Sequence, residues 1–167
     1  MASLLTNWSS NVEKHAVVTA TQLLATEGGK HIFNVLPTED IDNGAIVALG
    51  DWEDDDYYAI SDSAPTFSGT ILQEESNGGW LVVVDEVDDD TVLVYQSELI
   101  YENYTTGLQE PYMFYNAADE VTRAYGLAKY DKFAVTEEGF DGTPEAGATV
   151  TVDSSTHKLV VGSTTTE

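Results

Sequence analysis

Residues 80–95 read WLVVVDEVDDDTVLVY. Two apolar runs rich in β-branched residues, 80–84 and 91–95, flank a polar link that contains Asp88, Asp89 and Asp90. Runs of this composition favour strands, and a short polar link between two of them is typical of a β-hairpin. We therefore expect an antiparallel hairpin here, within an all-β fold.

Further strand candidates occur on both sides of this segment. They cover residues 31–36, 45–49, 57–60, 70–73, 112–115, 121–128, 132–136, 149–152 and 157–161. The Asn43-Gly44 pair between the first two is a strong hairpin signal. In the last two strands, alternation predicts one buried face, formed by Val150, Val152, Leu159 and Val161. Many short strands at short intervals predict a small barrel or a sandwich.

The first thirty residues are compatible with two structures. Ser10 and Glu13 have the spacing of a capping box, and apolar residues recur at helical spacing after them. The β-branched residues at positions 17–19 and 21 favour an extended chain instead. A glycine pair closes the segment in either case. We predict a short helix or an extended N-terminal arm.

Charge divides the chain into regions. The net charge is -24, from 6 basic and 30 acidic side chains. Charges cancel within residues 1–30, whereas lysine and arginine are absent from residues 31–122. Together with a turn-rich stretch at 105–111, this pattern predicts a neutral arm at 1–30, an acidic β domain at 31–110 and a C-terminal β unit with a mobile tail at 111–167. Two small β units are thus an alternative to a single domain.

The acidic surface also bears on partners and location. Contacts to phosphate groups need lysine and arginine, so neither nucleic acid nor an anionic membrane is an expected partner. Self-repulsion of this size keeps a protein dissolved at high local concentration. Because the chain begins with no secretion signal and contains no long apolar run, we expect a soluble protein.

The residues that could carry chemistry form no catalytic pattern. The chain has no cysteine, and His15, His31 and His157 belong to no metal-spacing motif. No nucleophile elbow, Walker A loop or dinucleotide-binding glycine motif occurs. We expect no catalytic residues, no cofactor and no metal, and hence a protein that is not an enzyme.

Two features keep other binding functions open. Aspartate-rich turns at 40–42, 54–56 and 88–90 offer the oxygen ligands that Ca²⁺ takes, although none matches an EF-hand loop. Aromatic residues could form a sugar-stacking face, although a β core also uses them. These aromatic residues are Trp52, Tyr57, Tyr58, Tyr95, Tyr101, Tyr104, Tyr112, Phe114 and Tyr115. The alternatives are therefore a calcium- or carbohydrate-binding β module and, from charge alone, an acidic inhibitor that mimics DNA.

Two stretches carry a resemblance to a known class of proteins. The first is LPTEDIDNGAIV at 36–47 with LG at 49–50, and the second joins FYN at 114–116, EVTRAY at 120–125 and DKFAVT at 131–136. Both resemble short acidic proteins of tailed phages that accompany the major capsid protein as decoration, cement or head-fibre components. The resemblance implies a non-enzymatic virion structural protein that is soluble in the host cytoplasm before assembly and lies on the capsid exterior afterwards. Its implied partner is the coat lattice, and it implies many copies as a homo-oligomer, for which a trimer is one candidate.

For such a protein, the neutral N-terminal arm is the expected capsid-docking segment. Its candidate contacts are Leu4, Leu5, Trp8, Val17, Val18, Leu23 and Leu24. The alternative is that this segment packs on its own domain. The acidic middle of the chain would face solvent in both cases.

Overall fold

The computed structural model describes residues 14–26, 31–53, 56–96 and 115–164. Within these ranges the chain forms twelve strands and two 3-10 turns, Leu24–Thr26 and Glu137–Gly139. The strands are β1 (Val18–Gln22), β2 (Ile32–Leu36), β3 (Ile46–Glu53), β4 (Tyr57–Ile60), β5 (Phe67–Glu74), β6 (Gly79–Val87), β7 (Thr91–Val94), β8 (Thr122–Gly126), β9 (Lys132–Thr136), β10 (Phe140–Asp141), β11 (Ala148–Val152) and β12 (Leu159–Thr164). No helix among the described residues is long and apolar enough to cross a membrane. The all-β prediction is confirmed.

The strands form a closed barrel and a separate sheet. The barrel has five strands in the order β2-β4-β3-β7-β8, and β8 pairs with β2 to close it. The sheet has seven strands in the order β1-β9-β6-β5-β11-β12-β10. Neighbours are antiparallel except β2 with β4 and β10 with β12, which are parallel. The small barrel expected from the sequence is therefore present.

Strands β3 and β7 form the wall between barrel and sheet. Ile46 of β3 pairs with Leu93 of β7, and both side chains lie in the apolar core that the sheet provides. The next pair, Val47 with Val92, lies in the core inside the barrel. All four side chains are fully buried. A strand buried on both faces reads as a continuous apolar run, which explains why residues 91–94 show no alternation.

The prediction of a hairpin within residues 80–95 is wrong. β6 lies between β5 and β9 in the sheet, whereas β7 lies between β3 and β8 in the barrel. The Asp88–Asp90 link therefore carries the chain from one sheet to the other. Local composition identified both strands correctly, but it held no information on their partners.

Strand β6 forms a hairpin with the strand before it instead. β5 pairs antiparallel with β6, and Glu74 faces Trp80 across the turn at Asn77-Gly78. Gly78 has a φ of 88°, a conformation that favours glycine. The predicted pairing of the last two strands is confirmed, since β11 is antiparallel to β12 with Val150 opposite Val161.

The Asn43-Gly44 turn does not join a hairpin either. β2 pairs with β4 and β8 and not with β3. Asn43 is buried, and its side-chain amide donates to the Gln96 carbonyl oxygen at 2.9 Å while its Oδ1 accepts from the Gln96 N–H at 3.0 Å. The same Oδ1 accepts from Asn116, whose own Oδ1 accepts from the Thr122 hydroxyl at 2.8 Å. Asn43 thus fixes the entry of the chain into the barrel.

The N-terminal segment belongs to the seven-stranded sheet. β1 is an edge strand in which Val18 pairs with Val135 of β9. After it the chain makes a 3-10 turn, and the Leu24 N–H donates to the carboxylate of Asp131 at 3.1 Å. Of the two predicted structures, the extended one is present in residues 14–26, and the predicted helix is absent from them.

Strand pairing does not follow the predicted domain bounds. The sheet joins β1 from residues 1–30, β6 from 31–110 and β9 from 111–167. The barrel likewise joins β2 with β8. The boundaries at 30 and 110 thus describe how charge is distributed along the sequence rather than how the strands associate.

Candidate functional site

A β-bulge in β3 changes which face of the strand its last residues present. Leu49 pairs with Ile60, and the next pair along is Trp52 with Tyr58, so β3 advances three residues where β4 advances two. Because side chains alternate along a strand, one extra residue moves the following side chain to the opposite face. Trp52 therefore lies on the same face as Leu49, which packs against the core inside the barrel.

Gly50 is the residue that lets this bulge form. A Cβ atom at this position would lie 2.9 Å from the carbonyl oxygen of Ala59 and 3.3 Å from the backbone nitrogen of Ser61. The first distance is shorter than a carbon–oxygen contact allows, and the opposing atoms belong to the backbone of β4. Glycine is thus required by the close approach of the two strands.

The bulge creates an aromatic platform at the end of the barrel, formed by Phe33, Trp52 and Tyr58. The rings of Trp52 and Tyr58 meet edge to face, with centroids 4.8 Å apart, and those of Tyr58 and Phe33 do so at 5.7 Å. Phe33 and Tyr58 also pack against the barrel core. Trp52 is held from behind in this way, yet 55% of it is exposed.

Carboxylates are frequent in the segments next to this platform. Asp51, Glu53 and Asp56 are exposed and lie in the same β3–β4 segment as Trp52. The Leu49 N–H donates to the carbonyl oxygen of Asp90 at 2.8 Å, which brings the exposed Asp88–Asp90 turn beside the bulge. Two acidic runs that are distant in the sequence therefore meet at one end of the barrel. A rigid aromatic surface in a negative field can bind a flat or a cationic group.

A second feature fixes the start of the described chain to the barrel. His15 Nδ1 lies 2.6 Å from Asp42 Oδ1, and Asp42 Oδ2 accepts from the Ala16 N–H at 3.3 Å. The His15 ring also packs on Tyr115, with centroids 4.9 Å apart. His15, Asp42 and Tyr115 line a cavity of about 410 Å³ that Lys158 borders as well. Asp42 thus holds residues 15 and 16 next to the Asn43 turn.

A third feature is the loop between β11 and β12. Asp153 Oδ1 accepts from the Ser155 hydroxyl at 2.6 Å and from the Ser155 N–H at 2.7 Å, and these bonds lower the pKa of this exposed carboxyl. His157 follows with a φ of 58°, and burial lowers the pKa of its imidazole although Glu39 and Asp153 act in the opposite direction. Its Nδ1 is buried and has no hydrogen-bond partner among the described residues. The ring borders a cavity of about 460 Å³.

The predicted capsid-docking residues are divided between surface and core. Val18 and Leu23 are 4% and 3% exposed and lie in the apolar core under the sheet, so they face the protein's own interior and not a partner. Val17 is partly buried, and Leu24 is exposed. Leu4, Leu5 and Trp8 lie outside the described residues.

The carboxylates of the first aspartate-rich turn accept hydrogen bonds from other parts of the chain. Asp40 Oδ1 accepts from the Ala118 N–H at 2.9 Å, and Asp42 accepts from residues 15 and 16 as above. In the described parts of the chain, no three histidine or acidic side chains come together as metal ligands would. Residues 54 and 55 of the second turn lie outside those parts.

Sequence reasoning named Trp52 and Tyr58 as possible stacking residues but did not pair them, and it did not name Phe33. A lone glycine inside a strand is the available signal, because it often marks a bulge. Gly50 directly precedes the Asp51-Trp52 pair. A scan against protein-family models matched none, and searches for similar curated proteins and similar solved structures gave no match.

Proposed function

We propose that this protein is a non-enzymatic virion structural protein that decorates or cements the head of a tailed phage by binding its assembled coat lattice. The observation that carries the proposal is the exposure of Trp52 on a rigid support. A large aromatic side chain that is fixed in place but open to solvent is typical of the anchor residues at the centre of protein interfaces. The remaining polar contacts would then form the rim of the interface.

The charge of the chain supports the same function. The acidic faces that remain outside the interface carry like charge on every copy, which keeps crowded particles apart. The resemblance of residues 36–50 and 114–136 to capsid accessory proteins points in this direction as well. Residues 36–50 end at the glycine that permits the bulge, so the stretch that carries the resemblance leads directly into the platform.

The mechanism is binding without chemistry. A ligand that binds the assembled shell but not its free subunits stabilises the shell by mass action, to an extent set by its concentration relative to its dissociation constant. Repeated copies on a symmetric lattice multiply this effect. A homo-oligomer, with a trimer as the first candidate, would match threefold positions of such a lattice.

The test is co-sedimentation of the full chain with assembled heads made from the coat protein of the same genome. Free coat protein at equal concentration is the control. We expect saturable pelleting with heads, at a stoichiometry fixed by lattice symmetry, and little binding to free subunits. The proposal fails if no pelleting occurs across a range of salt concentrations.

The platform also favours one second candidate, a carbohydrate-binding module. Exposed aromatic faces stack on sugar rings, and carboxylates can accept hydrogen bonds from sugar hydroxyls. This candidate predicts a rise in melting temperature with an oligosaccharide and no dependence on an assembled shell. Thermal unfolding in the presence of neutral oligosaccharides would distinguish it from the first.

A further inference from the structure

The exposed part of Trp52 offers an aromatic face to a partner. Tyr58 lies across the β3–β4 pair and meets the indole at an interplanar angle of 68°, so the two rings are not stacked face to face. Phe33 supports Tyr58 from the barrel side. With more than half of Trp52 accessible, a bound group can lie over the indole without displacing a side chain of the core.

The field at this face is negative. Asp51, Glu53 and Asp56 are exposed and place three carboxylates in the described part of the segment that carries Trp52. The Asp88–Asp90 turn adds three more at the same end of the barrel, through the bond between Leu49 and Asp90. Exposed charges that are closer than a Debye length, about 8 Å at physiological salt, still act on one another, and they do so less as salt rises. A cation over the indole would therefore be attracted by these carboxylates as well as by the ring.

The segments that form the platform and the Asp88–Asp90 turn supply no cation of their own. Lysine and arginine are absent from residues 31–122. Arg123 lies on β8 opposite Asn34 of β2, and its neighbour Ala124 faces the barrel core. Because side chains alternate along a strand, Arg123 faces away from the barrel interior and from the face that continues into the platform.

We propose that the aromatic platform binds a lysine or arginine side chain from a basic segment of the partner protein, with arginine favoured. A cation is attracted to the negative face of an indole ring, and a planar guanidinium can stack on that ring while donating to carboxylates beside it. Where the basic segment belongs to the coat protein, the inference rests on the proposed function. The chemistry of the platform can nevertheless be tested without a capsid.

A neutral sugar is the competing occupant. It would use the same ring but would gain nothing from net charge, and its binding would depend only weakly on salt. Binding of a cationic side chain weakens as salt rises, because the carboxylates that attract it are solvent-exposed. Salt dependence and charge removal therefore separate the two occupants.

The experiment follows the indole N–H signals of the ¹⁵N-labelled full chain by NMR. The chain has three tryptophans, and Trp52→Phe identifies the signal of residue 52. One probe is a blocked tetrapeptide with a single arginine among glycines. The second is the same peptide with citrulline, which has the shape of arginine without its charge, and the third is a neutral trimer of N-acetylglucosamine.

We expect the arginine peptide to shift the Trp52 signal saturably and to leave Trp80 unchanged. The citrulline peptide should bind at least several-fold more weakly. The double variant Asp51→Asn/Asp56→Asn should weaken binding of the arginine peptide several-fold, and asparagine tolerates the positive φ of residue 56. Glu74→Gln/Glu145→Gln removes the same charge from two exposed sites, one at the end of β5 and one in the loop before β11, and should leave binding of this peptide nearly unchanged.

Equal binding of the two peptides, equal losses in the two double variants, or a shift of Trp52 with the sugar alone would overturn the inference. So would the absence of any shift with the arginine peptide up to its solubility limit. Failure of co-sedimentation together with a normal arginine response would remove the capsid as partner and leave the platform assignment intact. Co-sedimentation without an arginine response would support the capsid as partner and overturn the assignment of the platform.

Discussion

Trp52 faces Tyr58 across the β3–β4 pair, and their ring centroids lie 4.8 Å apart because β3 contains one more residue than β4 between this pair and Leu49–Ile60. Without the extra residue, the indole would lie on the opposite face of the strand. A single register shift thus converts part of an acidic strand end into an aromatic surface. Binding of a partner at the aromatic platform depends on this local geometry.

The first prediction concerns Gly50. In Gly50→Ala the new methyl group meets the Ala59 carbonyl oxygen at 2.9 Å, so the strands must separate or the bulge must move. We expect a loss of about 1–3 kcal/mol in the free energy of unfolding, as for other overpacked sites. Urea unfolding measures this loss, and near-ultraviolet circular dichroism reports the change around Trp52.

Gly79→Ala is the matched control. There the nearest atom is the side-chain oxygen of Asn77 at 3.2 Å, which can move more easily than a strand backbone. We expect a smaller loss of stability and an unchanged near-ultraviolet spectrum. Equal effects of the two substitutions would contradict a special requirement for glycine at position 50.

The second prediction concerns the buried amide of Asn43. Asn43→Ala removes its two bonds with Gln96 and leaves the buried Asn116 amide without its acceptor on residue 43. An unsatisfied buried donor costs about 1–3 kcal/mol, and we expect the loss of unfolding free energy to reach the upper part of this range. Asn34→Ala, at an exposed position of β2, should change stability by less than about 0.5 kcal/mol. Similar values for both variants in urea unfolding would exclude the proposed role of Asn43.

The third prediction is a pH dependence that His157 causes. Burial lowers the pKa of His157 below its ordinary value of 6.5, so the unfolded chain binds a proton at a higher pH than the folded protein does. Stability from this group is present above the ordinary pKa and is lost as the pH falls from there toward the lowered value. Between about pH 7.5 and pH 5, the unfolding free energy of the wild-type protein should therefore fall more steeply than that of His157→Asn.

Asparagine suits this substitution because it tolerates the positive φ of residue 157. His31→Asn, at an exposed strand-end position, serves as the control and should retain the wild-type pH profile. Urea unfolding at several pH values gives both curves. Parallel profiles for the wild type and His157→Asn would show that burial of His157 does not contribute.

The fourth prediction concerns the attachment of the N-terminal segment. Asp42→Ala removes the acceptor for both His15 and the Ala16 N–H. Local opening near residue 15 should become more frequent, and tryptic cleavage after Lys14 should accelerate several-fold, because proteases act on opened segments. Mass spectrometry measures this cleavage. Asp62→Ala, at an exposed site, should leave the rate unchanged, and acceleration in both variants would indicate a general loss of stability instead.

Much of the fold could be predicted from composition, because strand formation is decided locally. The strands near residues 80–84 and 91–95 were predicted from their apolar, β-branched side chains, and both are present. Their supposed pairing was wrong because Ile46 and Leu93 must meet the sheet while Val47 and Val92 fill the barrel. The pairing of strands depends on contacts between distant parts of the sequence. A local pattern contains no information on these contacts.

The candidate site was less accessible to sequence reasoning. Since side chains alternate with a period of two, the face on which Trp52 lies depends on the bulge next to Gly50. Val18 and Leu23 illustrate a related difficulty, because an apolar residue near a chain end suits a core as well as a docking surface. Their burial became evident only from the pairing of β1 with β9.

The most direct test of the account is the affinity of Trp52→Ser for assembled phage heads, measured by co-sedimentation beside the wild type. Leu72→Ser changes another exposed apolar residue, 42% accessible, on β5 of the sheet and is the matched control. The account predicts at least a tenfold loss of affinity for Trp52→Ser, about 1.4 kcal/mol, and wild-type binding for Leu72→Ser. Wild-type binding by Trp52→Ser would contradict it.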